Sequence, residues 1–391
     1  MFILEEPFVS DYLANTVAVS GRPVLDNAMA RSRLDHSSAE LLPSPEFARR
    51  AALPGARLYT NSENSINWIA ENLGQTDLPR QIHLLKDKLA FRELLSEIYP
   101  GYAFRELSLE ALDDFDPAIF PKPFVIKPAV GFFSVAVHVV QSDQDWPEVA
   151  AALRADAARS LSLYPDKVLG LDRFILEEVI EGEEFAIDVY FTDEGEAVVL
   201  NVMAHHFTSG MDVGDRVYYT SPSLMERWRA EFERYLRRIG RLAKLRNFPI
   251  HAELRVGPDG QIAPIEINPM RFGGWCAADM SWYAFGFDPY TMYLEDARPD
   301  WPRLLEKRRG KACGLIVADI PSEVPAESIE SVDYDAFLSR FSRPLDLRRT
   351  DFNRHPVFAF LFVEVPEDEM SELQNVLHAD LRQYLRVGAG T

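Results

Sequence analysis

The sequence of 391 residues predicts a protein of mixed α/β and α+β class with three compact units. In roughly the first 80 residues, short apolar runs alternate with helical patterns, which is typical of an open parallel sheet. Farther along, paired runs with alternating faces predict antiparallel sheets with helices. The basic stretch LEKRRGK, beyond Pro302, introduces a third unit. We therefore expect an N-terminal α/β domain over 1–83, a central unit over 84–302 and a small α+β C-terminal domain over 303–391.

The N-terminal domain is predicted from three short apolar runs and the segments between them. The runs are rich in Val, Ile, Leu or Tyr, which favours strands, and they cover residues 2–6, 23–27 and 57–61. The apolar spacing from Phe8 to Val19 predicts a helix, which the following glycine and proline end. Asn61 and Ser62 can cap a second helix. No glycine-rich phosphate fingerprint follows any of these strands, so the sequence does not support a dinucleotide site there.

The remaining elements follow from periodicity and from turn residues. The central unit opens with a helical pattern, KDKLAFRELLSEIYP, that Pro100 ends. After it, we expect strands within 123–140, a helix over 146–158, strands within 174–191, a strand over 195–207, a helix over 222–246 and a hairpin over 251–269. For the C-terminal domain, we expect strands over 312–320 and 357–365 and helices over 333–341 and 368–385.

Composition and charge exclude several classes of protein. The 41 Lys and Arg residues against 61 Asp and Glu residues give a formal net charge of −20. Such a chain repels phosphate backbones and anionic lipid surfaces, so we expect neither nucleic acid nor membrane as a partner. The longest apolar run, Val357 to Val363, is far below the roughly 18 residues of a spanning helix. The first residues include acids where a secretory signal carries Lys or Arg, and the two cysteines, Cys276 and Cys313, suit a reducing cytosol. We therefore expect a cytoplasmic protein.

Two acids on the predicted hairpin HAELRVGPDGQIAPIEINP suggest a metal site. A two-residue turn at Asp259-Gly260 would place Glu253 directly opposite Glu266, with Asn268 on the same face. Like charges in a cross-strand pair repel each other unless a cation lies between them. Mg²⁺ prefers such oxygen ligands together with phosphate. A solvated polar face is the alternative, and a bulged turn would change the register.

Two further segments carry weaker signals for a nucleotide. In FVIKPAVGFFSVAVHVV, Lys127 ends an apolar strand, and a loop of small residues follows that can direct backbone N–H groups at phosphates. In FILEEVIEGEEF, the residues from Glu177 to Ile180 can present backbone edges to a base, and Glu184 can present a carboxylate to a ribose. The alternatives are a hairpin with a solvated lysine and an acidic corner on an acidic protein.

In order and spacing, these residues resemble the ATP-grasp superfamily of carboxylate–amine ligases, which includes D-alanine–D-alanine ligase and biotin carboxylase. The family pattern consists of a helix-borne lysine, a strand-borne lysine with a small-residue loop, a hinge reading Glu-x-x-apolar, a ribose acid, and an acid followed by acid-x-Asn on the last hairpin. The resemblance covers about residues 84–300, with lobes over about 115–190 and 191–302. Its most specific part is Glu266-Ile267-Asn268-Pro269.

The resemblance implies roles for the matched residues. ATP would be bound by Lys88, Lys127, Gly131, Ser134, Glu177, Glu178, Val179, Ile180 and Glu184, and Mg²⁺ or Mn²⁺ by Glu253, Glu266 and Asn268. Lys86 is an alternative to Lys88 for the nucleotide. The family often has a basic residue where this chain has His251, so stabilisation of transition-state charge would fall on Arg255 or Arg271, with Lys127 as the third catalytic candidate.

Substrate residues are expected beyond the hairpin. In NPMRFGGW, Arg271 can bind a carboxylate or an acyl-phosphate in bidentate fashion, beside the backbone of Gly273 and Gly274. An arginine that closes a surface loop is the alternative. A polar loop further offers His205, Asp215 and Arg216, although a solvated loop accounts for them equally well.

The resemblance implies an ATP-dependent ligase that activates a carboxylate as an acyl-phosphate and joins it to an amine, with an amino acid or a small peptide-like molecule as substrate. Small carboxylates and amines are then the expected partners. The sequence does not decide whether the chain forms a homodimer. The alternatives are phosphoryl transfer to a hydroxyl and a non-catalytic ATP-binding regulatory protein. The implied ligase reaction requires no protein nucleophile, which agrees with the lack of any convincing Ser/His/Asp or Cys/His arrangement in the sequence.

Overall fold

The structure is a computed structural model that describes residues 1–35, 39–131, 136–160, 170–206, 216–321 and 323–388. The chain divides into two compact units, each made of several segments. The first unit comprises Met1–Gly182, Val189–Val198 and Arg234–Cys276, and the second comprises Glu183–Asp188, Val199–Glu233 and Ala277–Thr391. The three-domain division expected from the sequence stays a prediction.

Helices and strands occur together throughout the described residues, as the mixed fold class predicts. The strands are β1 Phe2–Ile3, β2 Val24–Leu25, β3 Leu41–Leu42, β4 Tyr59–Thr60, β5 Phe104–Ser108, β6 Phe124–Val130, β7 His138–Val140, β8 Gly170–Glu178, β9 Glu183–Phe191, β10 Ala197–His206, β11 Val217–Thr220, β12 Phe248–Val256, β13 Ile262–Pro269, β14 Lys311–Asp319, β15 Ile329–Val332, β16 Pro344–Arg349, β17 Val357–Pro366 and β18 Leu385–Val387. The α-helices are α1 Asp11–Ser20, α2 Ala28–Arg33, α3 Ser44–Ala51, α4 Ile66–Asn72, α5 Leu78–Lys86, α6 Lys88–Leu95, α7 Trp146–Ser160, α8 Pro222–Ala243, α9 Met280–Phe285, α10 Pro289–Leu294, α11 Trp301–Arg308, α12 Tyr334–Leu338 and α13 Ser371–Leu377. None of the helices in these ranges is long and apolar enough to cross a membrane.

The predicted parallel sheet at the N-terminus is confirmed. Its four strands lie in the order β3-β2-β1-β4, and all three pairings are parallel. Each strand is only two residues long, and Phe2, Ile3 and Val24 are fully buried. The sequence analysis missed β3, because two leucines between polar segments give too short a signal for a strand.

The antiparallel sheets of the central region are also confirmed, with one correction. A four-stranded sheet has the order β5-β8-β6-β7, and an eight-stranded sheet has the order β13-β12-β9-β10-β11-β14-β17-β16. The paired runs within 174–191 were expected to lie together in one antiparallel sheet, but β8 pairs with β5 and β6, whereas β9 lies in the other sheet. Residues 179–182 therefore connect two different sheets. Gly182 permits this path, because it has a φ of 129° and its Cα approaches the Val256 backbone so closely that a Cβ would lie 2.2 Å from the carbonyl oxygen.

The helix predicted from KDKLAFRELLSEIYP is broken at Asp87. Lys86 is the last residue of α5, and α6 ends at Leu95, before the predicted stop at Pro100. The Asp87 carboxylate caps α6 by accepting hydrogen bonds from the backbone N–H groups of Leu89 and Ala90, both at 3.0 Å. This cap is a normal role for aspartate and starts a new helix direction. As a result, Lys88 is the first residue of α6 and is buried.

The C-terminal helix is shorter than predicted. The sequence predicted residues 368–385, but α13 ends at Leu377, and a 3-10 turn over Leu381–Tyr384 follows. Asp380 starts that turn by accepting a hydrogen bond from the Arg382 N–H at 3.0 Å. The chain then forms β18, which pairs with β15.

Close packing of α8 against β9 generates a stability prediction. A Cβ at Gly240 would lie 2.2 Å from Cε1 of Phe191. Gly240→Ala should therefore lower the free energy of unfolding by about 1–3 kcal/mol through overpacking, although the same change in an open helix gains about 1 kcal/mol. Urea unfolding measures the difference. Gly101→Ala is the control, because no atom lies within 4 Å of its added Cβ; equal effects of the two substitutions would contradict the packing.

Candidate functional site

The hairpin of β12 and β13 places the two predicted metal acids opposite each other. Glu253 pairs with Glu266 in the register, as the sequence predicted. The turn, however, is longer than the predicted two residues. Gly257 donates its N–H to the Gln261 carbonyl, and Gly260 has a φ of 80° and donates its N–H to the Gly257 carbonyl, so three residues form the loop. A bulge between Glu253 and Leu254 then shifts the register by one residue and restores the predicted pair.

The main partner of Glu266 is a lysine and not Glu253, the like-charged residue opposite it. Lys88 Nζ lies 2.9 Å from Glu266 Oε2, and only 9% of the lysine side chain is exposed. Burial alone would raise the pKa of Glu266, but Lys88 and the neighbouring Lys86 bring it well below its usual value. The expectation that Glu253 and Glu266 would repel each other without a metal is therefore wrong, because the Lys88 ammonium neutralises one of them.

A second buried group of charges surrounds Glu177. Its carboxylate accepts from Arg92 Nε at 2.6 Å and lies 2.5 Å from Lys127 Nζ, with all three side chains at most 8% exposed. Burial acts to raise the pKa of Glu177, but the two cations lower it to about 2. The pKa of Lys127 is lowered, because its burial and the nearby Lys88 and Arg92 outweigh Glu177. This carboxylate thus holds the predicted phosphate-binding lysine in place.

A third group includes Glu63, which the sequence analysis missed. Glu63 accepts from Lys86 Nζ through Oε2 and from Arg271 Nη2 at 2.8 Å through Oε1. Lys86 Nζ also donates to the Gly131 carbonyl at 3.1 Å, at the start of the predicted phosphate loop. Burial opposes the charged form of Glu63, but Lys86 and Arg271 lower its pKa. The only sequence signal was Ser62, whose side chain caps the 3-10 turn that carries Glu63.

These groups form one charge cluster in the first unit. It consists of five cations and three carboxylates, namely Lys86, Lys88, Arg92, Lys127 and Arg271 with Glu63, Glu177 and Glu266. The charges act on one another across the groups, since Glu63, Glu177 and Glu266 all raise the pKa of Lys88. With Glu253, which lies opposite Glu266, five cations stand against four carboxylates, and this excess of one positive charge contrasts with the net −20 of the chain. A polyanion such as a nucleotide phosphate would balance the cluster.

The residues of the hairpin fit a hard divalent cation. Glu253 and Glu266 form a cross-strand pair, and Asn268 Nδ2 lies 3.3 Å from Glu266 Oε1, so carboxylate and amide oxygens share one face. Among the described residues, no group of three or more His, Cys, Asp or Glu side chains is arranged to hold a metal ion. Mg²⁺ usually binds to one or two protein carboxylates and completes its coordination with phosphate and water, so two carboxylates and one amide suffice.

The predicted hinge lies beside a cavity of about 400 Å³. Residues Glu178–Glu181 line it, together with Arg92, Leu95, Tyr99 and Tyr102 and with the hairpin residues Gly257, Pro258, Asp259, Gln261, Ala263 and Pro264. Lys88 and Glu266 are not among its described lining residues. Arg255 donates to the Ile180 carbonyl at 2.6 Å, so this candidate catalytic arginine contacts the hinge backbone.

The substrate candidates are distributed over both units. In the first unit, Gly274 lies beside Arg271, because an added Cβ would be 3.7 Å from Arg271 Nη1; Gly273 is also in this loop. In the second unit, His205 Nδ1 lies 3.6 Å from Glu184 Oε1. Arg216, also in the second unit, binds Asp319 at 2.8 Å and the carbonyls of Leu377 and Ala379, contacts that give it a structural role there. Ser134 and Asp215 lie outside the described residues.

The loop that carries Arg271 has an unusual backbone. Met270, Trp275 and Cys276 have φ values of 66°, 55° and 56°, in the left-handed region that non-glycine residues rarely adopt. Such conformations persist where the surroundings fix them, and they are frequent at functional sites. Here the N-terminal segment supplies the surroundings: Phe8 stacks on Trp275, and the Ser10 N–H points at Cys276 Sγ at 3.5 Å.

Comparisons with known proteins concern the family and the fold. The family of ATP-grasp domains matches residues 120–279. Within this range the chain matches the ATP-grasp domain. The resemblance to the ATP-grasp superfamily drawn from the sequence is therefore confirmed. No curated protein sequence matches the chain.

Solved structures of two ligases or synthetases and a carboxylase share the fold over nearly the whole chain. An L-amino acid ligase from Bacillus licheniformis has a TM-score of 0.65 at 17% identity, with coverage of 100% of this chain and 98% of that one. A biotin carboxylase from Campylobacter jejuni, in a β-γ-ATP complex, has a TM-score of 0.63 at 12% identity, with 99% and 91% covered. An N5-carboxyaminoimidazole ribonucleotide synthetase from Thermotoga maritima has a TM-score of 0.63 at 13% identity, with 100% and 99% covered.

The pair of Lys88 and Glu266 generates a prediction on stability. Glu266→Gln should lower the free energy of unfolding of the nucleotide-free protein by about 3 kcal/mol, because it leaves a buried ammonium without its carboxylate. The double substitution Lys88→Met with Glu266→Gln should recover most of that loss. Chemical unfolding of the four proteins of this cycle gives the coupling. A loss below about 0.5 kcal/mol for Glu266→Gln alone, typical of surface positions, would contradict the buried pair.

Proposed function

We propose that the protein is an ATP-dependent ligase that activates a carboxylate as an acyl-phosphate and joins it to an amine, with release of ADP and phosphate. The observation that carries this proposal is the charge cluster, in which cations outnumber carboxylates and in which Glu266 belongs to the hairpin pair. Half of its residues lie in the range 120–279 that matches an ATP-grasp domain. The arrangement suits the transfer of a phosphoryl group, for which positioning and charge neutralisation are the main requirements.

In this proposal, the predicted residues contact three parts of the bound nucleotide. Lys88 and Lys127 neutralise the phosphates, the hinge from Glu178 to Ile180 contacts the base, and Glu184 contacts the ribose. Glu253, Glu266 and Asn268 would bind Mg²⁺ or Mn²⁺, which supplies charge stabilisation at the transferring phosphoryl group when bound. Binding would separate Lys88 from Glu266 and Lys127 from its carboxylate partner, because the phosphates compete for the lysines and the metal competes for the hairpin carboxylates.

Arg271 is the residue proposed for the substrate. Its guanidinium projects from the strained loop after the hairpin, is 12% exposed, and is held by Glu63 and by the Phe272 carbonyl. A planar guanidinium binds a carboxylate or an acyl-phosphate through two parallel hydrogen bonds. Bound there, the substrate carboxylate attacks the γ-phosphoryl group, ADP leaves, and the amine then displaces phosphate from the acyl carbon. The structural likeness to an L-amino acid ligase supports an amino acid as one substrate.

The test is a screen for ADP and phosphate release over amino acids and small acids, singly and in pairs with amines. The ligase requires a carboxylate and an amine together for sustained release. A phosphorylated product that persists without an amine would show a phosphotransferase, and nucleotide binding without turnover on any pair would show a binding protein. Thermal unfolding should also show stabilisation by Mg²⁺ with ATP, about 2.7 kcal/mol at a ligand concentration 100-fold above Kd, and none by NAD.

Substitution of Arg271 separates substrate binding from nucleotide binding. Arg271→Ala should lower kcat/KM for the carboxylate by about 100-fold or more, because one charge-assisted bidentate contact is lost, while the Kd of ATP changes by only a few-fold. Arg271→Lys should recover little of the loss, because an ammonium lacks the planar fork. Turnover gives the first quantity and calorimetry the second. Parallel losses of turnover and ATP affinity would contradict a substrate role.

A further inference from the structure

Glu63 and Arg271 form a nearly buried pair of opposite charges within the charge cluster. Their side chains are 11% and 12% exposed, and Nη2 of the arginine lies 2.8 Å from Oε1 of the glutamate. Glu63 keeps a second cation, Lys86, on its other oxygen. The pair therefore offers one anionic and one cationic group within a single hydrogen-bond distance of each other.

Both members of the pair are held by backbone contacts between the N-terminal segment and the strained loop. The Thr60 N–H and the Thr60 hydroxyl both donate to the Met270 carbonyl, at 3.0 and 3.2 Å, one residue before Arg271. On the other side, Ser62 caps the 3-10 turn that begins at Glu63. These contacts fix the distance between the carboxylate and the guanidinium, which is the condition for recognising a ligand with two charges.

We propose that Glu63 is a specificity-determining residue that binds the α-ammonium group of an amino acid whose carboxylate Arg271 holds for activation. This inference rests on the proposed ligase function and names the class of the activated substrate. An α-amino acid carries its ammonium and its carboxylate on one carbon, so the two charges are as close together as those of the Glu63 and Arg271 pair. When the substrate binds, Glu63 exchanges the guanidinium of Arg271 for the substrate ammonium. Arg271 exchanges the carboxylate of Glu63 for the substrate carboxylate.

Charge balance favours a zwitterion at this position. An amino acid adds no net charge, so every buried charge keeps a partner when the substrate replaces the internal pair. A 2-hydroxy acid or an N-acetyl amino acid would occupy Arg271 and leave Glu63 with Lys86 alone. An ammonium bound to a carboxylate also stays protonated and has no lone pair for attack, so the acceptor amine must belong to a second molecule.

Matched substrates test the inference in the wild-type protein. Hydroxylamine serves as the amine and converts an acyl-phosphate into a hydroxamate with loss of phosphate. The probes are L-alanine, L-leucine and L-phenylalanine, each compared with its 2-hydroxy and N-acetyl analogues. We expect kcat/KM for the best amino acid to exceed that of its analogues by about 100-fold, since a charged hydrogen bond is lost. Equal rates for acids with and without the ammonium would overturn the role of Glu63.

The variant Glu63→Gln tests the residue itself, with Glu71→Gln as the matched control on the exposed face of α4. Glu63→Gln should reduce the preference for the amino acid over its 2-hydroxy analogue by at least about tenfold, whereas Glu71→Gln should leave it within about threefold. An equal fall for both substrates would indicate a purely structural role and overturn the inference. If Glu63→Gln does not fold, the wild-type comparison decides.

Failure of this inference and failure of the proposed function have different signatures. Formation of hydroxamate from carboxylates without any preference for the ammonium leaves the ligase reaction in place and removes only the role of Glu63. Absence of hydroxamate and of ADP with every acid in the screen removes the ligase reaction itself.

Discussion

Buried cations must be paired, and this constraint organises the first unit. Lys88, Lys127 and Arg92 are each less than 10% exposed, so each requires an anionic partner inside the protein. Glu266 and Glu177 supply those partners from the hairpin and from the small sheet. The same carboxylates thereby hold the lysines at defined positions before any phosphate is bound. When the nucleotide enters, the lysines need only exchange a carboxylate partner for a phosphate partner.

The sequence predicted those parts of the fold that depend on local periodicity. The parallel N-terminal sheet and the pairing of Glu253 with Glu266 are confirmed. The pairing of Glu253 with Glu266 was predicted from a two-residue turn, which is wrong. The loop has three residues, and the bulge restores the register that the shorter turn would have given. The pairing of β8 was predicted wrongly, because alternation shows that a strand is present but not which sheet it joins.

The candidate site could be predicted only where a residue lies within a recognisable motif. Lys88, Lys127, Glu177 and Glu266 come together in the charge cluster, although their roles toward ATP stay predictions. Glu63 could not be found in this way, because it is 208 residues from Arg271 in sequence and carries no motif of its own. Contacts between residues so far apart depend on tertiary packing. The break at Asp87, which makes Lys88 the first residue of α6, was hidden by a continuous helical pattern.

The most direct test of the acyl-phosphate pathway is to follow one oxygen atom. A carboxylate that supports phosphate release is labelled with ¹⁸O in its carboxyl group and incubated with ATP and the amine, and the released phosphate is analysed by mass spectrometry. If the carboxylate attacks the γ-phosphoryl group, each turnover transfers one labelled oxygen to phosphate. Phosphate that contains no label while amide accumulates would contradict the account, because the carboxylate oxygen would never have been bonded to phosphorus.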